Sequence, residues 1–408
     1  MKKTIYIILA FILIFGLSCG EKEESELTFM HFWTSEDVRP VINLLVAEFE
    51  AANPDIKIKL IDLNWSNGHD KITISFGTKS AADIIELGSD WVPEFAAKDL
   101  LMDLSGESEP YMDSLMGWEA AIMNDKIYGF PWMLGTRVIF YNKNLMTEAG
   151  LNPKIPPRNW EELYDYSKKI NELGEQIYGF GSNAYEKFRL YKKFLPFLWA
   201  NNGKVLEGDD CMLESPEAVE ALKYYVALSD IGFLESQRQL DDKFMAGELG
   251  FIISGDWLLR MMRGNPPNFQ VGACLIPAPK KDNARSASFL GGEFLTVNAR
   301  SDKKKEAMKF IQFLVSKEPN LEFNLAAGSV TPANKQAAAE ILRGGANPLA
   351  MVFLQQLNYA RPSPVHPQWV QIQGVIEEAV QKAIYHKGQP AEILKEACDQ
   401  ITKIINEE

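Results

Sequence analysis

Three short stretches of this chain place an aromatic ring beside hydrogen-bonding side chains: Trp33-Thr34-Ser35-Glu36, Asn64-Trp65 and Ser89-Asp90-Trp91. A flat apolar ring can cover one face of a ligand while carboxylate, amide or hydroxyl groups meet its polar rim. That is the chemistry of reversible capture. Patterns for bond-breaking are missing from the sequence, which has no GxSxG elbow. The 4 histidines (His31, His69, His366, His386) form no HExxH or other ligand pair, so no metal or other cofactor is expected. Gly179-Phe180-Gly181 lacks the third glycine of a dinucleotide fingerprint.

The elements that carry these stretches follow from the pattern of apolar residues. Leu27–Trp33 is a continuous apolar run, the mark of a strand buried on both faces. A helix from about Val38 would turn Val41, Leu44, Leu45 and Phe49 inward, and Asn53-Pro54-Asp55 stops it. Ile56, Ile58 and Leu60 alternate with lysines as a strand. A helix near 70–78 leads to the buried strand 83–87. Alternating β and α elements predict a parallel sheet covered by helices, and ligands bind such sheets beyond the carboxyl ends of the strands. All three aromatic stretches lie there.

With 408 residues, 46% of them hydrophobic, the chain is too long for one ordinary core, so two lobes are expected. The net charge is −13, and loss of Lys2 and Lys3 with a leader would make it more negative, which argues against nucleic acid as a partner. Those lysines precede the apolar run Ile5–Leu17, too short to span a bilayer with normal flanks but suited to an export signal. The run ends in Leu17-Ser18-Cys19-Gly20, which resembles a bacterial lipobox. Residues 1–18 are read as a signal peptide, Cys19 as the lipidated residue, and 19–26 as a polar tether holding the protein at a membrane surface in an extracytoplasmic space. Cys211, Cys274 and Cys398 show no CxxC spacing and are expected to be small buried side chains, although one bridge is open to them in an oxidising compartment.

The stretch Ile127–Met146 places Trp132 and Arg137 at a Pro131/Gly135 interruption between two apolar runs, as a hinge beside a cleft would. Asn159 and Glu162 form a capping-box pattern for a helix 160–173 whose Trp160 is a packing residue. An aromatic-rich helix is expected over 185–199, and a helix with Pro216 at its first position runs to Ser229. Gly255-Asp256-Trp257 ends a buried strand, and Phe289–Val297 is a strand whose glycines permit close approach. Two core-packing helices follow the stiff loop Arg361-Pro362-Ser363-Pro364.

Taken in order, Ile127–Met146, Asn159-Trp160-Glu161-Glu162-Leu163, the Gly255-Asp256-Trp257 turn, the Leu290–Val297 strand with its lysine-rich helix, and the late proline-rich loop resemble the extracellular solute-binding proteins of ABC importers, the carbohydrate-binding group related to maltose-binding protein. The likeness spans the chain beyond the leader. It implies an α/β periplasmic-binding-protein fold of type II, with two lobes joined by three crossing segments around a ligand cleft. Lobe one would be 27–133 plus 289–331 and lobe two 137–285 plus 335–408, with hinges near 132–136, 286–289 and 330–335. It further implies a monomer that captures a sugar or oligosaccharide by closing its lobes and hands it to the transmembrane subunits of the transporter, with no enzymatic activity.

Family matching carries the cleft role to Asp90 and Trp257. Trp33, Glu36, Trp65, Trp132, Trp199, Glu293, Arg137 and Arg361 are further candidates for a sugar's apolar faces and hydroxyl rim. Gly135 stands where the maltose binder carries an acid, which argues against a maltodextrin ligand. Two rivals use the same residues: a non-sugar solute (polyamine, peptide, anion or iron complex), and an exported glycoside hydrolase that recruits Glu36, Asp90 and Glu293.

Overall fold

The strand Ser25–His31 buries Leu27, Phe29 and His31 and lies second in the first sheet. In the computed structural model, which describes residues 25–329, 331–344 and 347–407, that sheet runs in the order Ile56–Asp62, Ser25–His31, Ile84–Gly88, Gly291–Val297, Phe130–Gly135. The first three strands are parallel, and Gly291–Val297 is antiparallel to both its neighbours. A second sheet has the order Gly232–Glu235, Tyr178–Asn183, Leu249–Ser254, Val138–Asn142, Val271–Cys274. Each sheet is the spine of one lobe, with helices packed on it. The expected leader, Cys19, the tether as far as residue 24, and Val330 lie outside the described residues.

Helix Arg39–Ala52 packs on the first sheet through Ile42, Leu45 and Phe49, while Leu44, expected inside, is 46% exposed. The inward stripe keeps Leu45 and Phe49 but takes Ile42 in place of Val41 and Leu44, with Phe49 edge-on to Phe310 at 4.9 Å. Asn159 caps its helix by accepting from the Glu162 amide at 3.0 Å, and Glu162 reaches back to the Arg158 amide at 2.9 Å, one residue earlier than a standard capping box. Trp160 stacks on Tyr224 at 4.3 Å as a packing residue. The aromatic helix begins at Tyr191, later than expected. Residues before it form a loop in which Phe188 holds a left-handed backbone angle of +66°.

Cys211 and Cys398 form a disulfide that ties a hairpin of lobe two to the last helix, Pro390–Asn406; this is the one bridge the sequence left open, and it corrects the reading of all three cysteines as merely small buried side chains. Only Cys274 stays free and buried among the described cysteines.

The chain passes between the sheets from Gly135 to Val138, and again from Phe289 to Gly291. Ser288 joins these two passages: its hydroxyl accepts from Thr136 Oγ1 at 2.7 Å and from the Arg137 amide at 3.0 Å, and donates to the Arg137 carbonyl at 2.8 Å. Ser288–Phe289 also pairs with Ala360–Arg361. The third passage is later than the expected 330–335. Lys335–Arg343 still belongs to lobe one, since the Lys335 amide donates to Ser114 O at 3.0 Å and Asn334 Nδ2 to Val315 O at 3.0 Å. Pro348–Leu357 belongs to lobe two, where Phe353 meets Phe140 at 5.7 Å and Gln356 accepts from the Ile276 amide. Thr331-Pro332 turns the chain without changing lobe, because Pro332 is bridged to Met133.

Candidate functional site

On the lobe-one wall, the indole Nε1 of Trp33 donates to Glu86 Oε1 at 3.0 Å and to Glu293 Oε2 at 2.8 Å. The other oxygen of Glu86 accepts from the Phe32 amide at 2.8 Å. Glu86 is wholly enclosed in the strand Ile84–Gly88, and Glu293 lies on the neighbouring strand at a register shift beside Phe294. Burial, followed by the charge of Glu293, holds the Glu86 carboxyl well above the usual range. Burial also lifts Glu293 to about 7.

The lobe-two wall repeats the arrangement. Trp257 Nε1 donates to Asp241 Oδ2 at 2.8 Å, and Asp241 is held from behind by Ser254 and Gln237 at 2.8 Å each. Burial raises the Asp241 carboxyl against the opposing effects of these donors and Lys193. A carboxylate behind each indole locks its ring plane, as a surface that must be flat to a ligand requires. Gly255 is needed for this: a Cβ there would lie 1.9 Å from Trp257 Cζ3.

Arg137 stands at the crossing with its guanidinium 5.4 Å from the Trp257 ring and 5.5 Å from Phe289, and its buried Nε has no partner. Burial lowers its proton affinity while Asp256 and Asp90 raise it. Lys193, 4% exposed, donates to Ile253 O at 3.2 Å and sits 5.3 Å from the Trp257 ring; burial, then Arg137, pushes its amine well down.

The walls touch. Tyr191 and Lys192 of lobe two converge on Asp90 of lobe one, at 2.8 Å from the hydroxyl and 3.1 Å from Nζ. Arg260, one turn beyond Trp257, pairs with Asp37 at 3.3 Å and lies 5.9 Å over the Trp33 ring. Phe188 reaches from lobe two to within 5.1 Å of His69 and 5.5 Å of Trp91.

The candidates therefore separate. Trp33, Glu293, Asp90, Arg137 and Trp257 come together between the lobes. Trp65 stacks on Phe32 at 4.0 Å and lies 5.5 Å from Trp91, beside Asp90 on lobe one. Trp132 is a correction: it is fully buried and stacked at 4.0 Å on Phe323, so its face is taken within the lobe-one core. Trp199 is likewise 6% exposed in the lobe-two core, parallel to Phe289 at 6.2 Å. Glu36 is exposed on the turn ahead of the first helix, and Arg361 is exposed on its short hinge strand. Glu86, Tyr191, Lys192 and Asp241 were missed. Glu86 carried a signal, since a carboxylate inside a wholly buried strand must have partners.

The family profile of bacterial extracellular solute-binding proteins matches residues 34–320, and the chain belongs to that family. A galactooligosaccharide-binding protein of Bacillus subtilis (strain 168) is 24% identical over 428 residues, covering 98% of this chain and 96% of its own. Among solved structures, an ABC transporter solute-binding protein from Thermotoga lettingae TMO, bound with alpha-D-tagatose, superposes with a TM-score of 0.85 at 24% identity, covering 94% of this chain and 100% of its own. UgpB from Mycobacterium tuberculosis in complex with glycerophosphocholine superposes at 0.80 with 21% identity, covering 94% and 98%. The fold is the two-lobed type II binding-protein fold.

Proposed function

We propose that this protein is the sugar-capturing subunit of an ABC importer, lipid-anchored through Cys19 outside the cytoplasm, acting as a monomer and handing its ligand to the transporter's membrane subunits without altering it. The observation that carries the reading is the matched pair of locked indoles: Trp33 tied to Glu86 and Glu293 on one lobe, Trp257 tied to Asp241 on the other. Two fixed rings on opposing walls suit the two apolar faces of a pyranose, and the carboxyls, Arg137 and Asp90 supply the planar groups its hydroxyls need. A site built on buried polar groups also rejects a ligand that leaves them unpaired. The galactooligosaccharide named for the Bacillus relative and the tagatose in the Thermotoga structure support the same class.

Screening a carbohydrate library by thermal unfolding tests the reading, because a ligand at 100 times its Kd stabilises the native state by about 2.7 kcal/mol. At least one sugar is expected to raise Tm and to be recovered unchanged. Stabilisation by glycerophosphodiesters or amines alone would reassign the ligand, and turnover of the sugar would overturn capture without chemistry. Membrane retention of the wild type and release of a Cys19→Ser variant tests the anchor.

A further inference from the structure

Two carboxylates can only accept hydrogen bonds and repel one another, so two carboxyl groups crowded at a single donor favour keeping a proton between them. Glu86 Oε1 and Glu293 Oε2 both meet one indole N–H, that of Trp33, at 3.0 and 2.8 Å. We propose that Glu86 is a positioning residue of the cleft: by sharing a proton with Glu293 it holds Glu293 and Trp33 as one unit whose wall carries a single negative charge, suited to an uncharged polyhydroxyl ligand and not to a cationic one. The inference rests on the reading of Trp33 and Glu293 as cleft residues.

The surroundings of the pair support it. Glu86 is 0% exposed, and its remaining oxygen is taken by the Phe32 amide, so it cannot reach a ligand itself. Glu293 lies partly open on the next strand and can. The charged groups that bear on Glu293 are Asp256 and Arg137 of the opposite lobe, of opposing sign, while Arg260 sits over the Trp33 ring and is paired with Asp37. His31, whose Nδ1 accepts from the Trp33 amide at 3.2 Å, is pushed by burial down to about 4 and stays neutral. Nothing in this set supplies a second full positive charge that would let both carboxyls ionise together. Burial and mutual repulsion keep the proton in place near neutral pH.

The experiment follows the Trp33 indole N–H by nitrogen-15 NMR in the ligand-free full chain, assigned by its loss in Trp33→Phe, while pH is varied. In the wild type the resonance is expected to titrate near 7 as Glu293 ionises, while Glu86 keeps the shared proton above that pH. In Glu86→Gln, whose amide donates permanently to Glu293, that titration should vanish, and Glu293→Gln should remove it as well. A wild-type resonance that titrates only below about pH 5, the ordinary carboxyl range, overturns the shared proton. So does a Glu86→Gln profile that matches the wild type, which is what a purely structural Glu86 would give. Spermidine serves as the cationic probe at about pH 8, where Glu293 is ionised and Glu86 keeps its proton, and a raised Tm with it would overturn the single-charge wall. The titration needs no ligand, so it can fail while sugar capture stands, and the sugar screen can fail while the titration succeeds.

Discussion

The Tyr191 hydroxyl donates to Oδ2 of Asp90 at 2.8 Å, joining residues 101 positions apart on opposite lobes. Lys192 meets the same carboxylate, so one lobe-one side chain receives two lobe-two donors. Removing one donor leaves the buried carboxylate only partly satisfied. Hydrogen bonds to charged groups contribute about 1.5–3 kcal/mol. Tyr191→Phe should therefore loosen the closed arrangement, and small-angle X-ray scattering of the ligand-free variant should give a larger radius of gyration than the wild type. An unchanged radius would show that this contact does not hold the lobes together.

The pH dependence of stability is set in part by Glu377, which accepts from the Phe188 amide at 3.1 Å and is raised by burial to about 7. A carboxyl with a raised folded-state value stabilises fully below its unfolded value near 4.3 and loses that contribution as pH climbs through 7. The loss is about 1.4 kcal/mol per pH unit at most. The stability of Glu377→Gln relative to the wild type should therefore rise between pH 5 and 8, measured by urea unfolding at each pH. A constant difference across that interval would remove Glu377 from the titration.

Gly255→Ala should displace Trp257, since the new Cβ would sit 1.9 Å from its ring. Overpacking of this kind costs about 1–3 kcal/mol. Affinity for any sugar found in the screen should drop by tenfold or more, read by isothermal titration calorimetry, while the far-ultraviolet circular dichroism is retained.

The Cys211–Cys398 bond joins two lobe-two residues at a sequence separation of 187, closing a loop that passes through lobe one and back. Loss of a disulfide that closes a long loop costs about 2–5 kcal/mol. Cys398→Ala should lower Tm and make it insensitive to reductant, whereas Cys274→Ala should leave the response to reductant intact.

Strands buried on both faces were legible because they must be written as apolar runs, as in Leu27–Phe32 and Phe251–Ile253, whereas Tyr178–Asn183, Gly232–Glu235 and Val271–Cys274 in the second sheet went unread. The face of the first helix was not, because Val41, Ile42, Leu44 and Leu45 offer two overlapping stripes and only the position of Phe310 chooses between them. A proline marked the turn at Pro332, but its partner Met133 lies 199 positions earlier, so the later passage between lobes was hidden. Among site residues, aromatic side chains at strand exits were visible as types. Whether a ring faces the cleft or a core phenylalanine, as Trp132 faces Phe323, depends on contacts made across the whole chain. The disulfide was hidden for the same reason.

The Ser288 hydroxyl has its donor and acceptor capacity spoken for by Thr136 and Arg137, which lie on the other passage between the sheets. Two strands pinned at a shared point can swing about it but cannot slide past one another without breaking all three bonds. The two passages are thus fastened to one another at one point, and the cost of sliding one along the other is the loss of three hydrogen bonds at once.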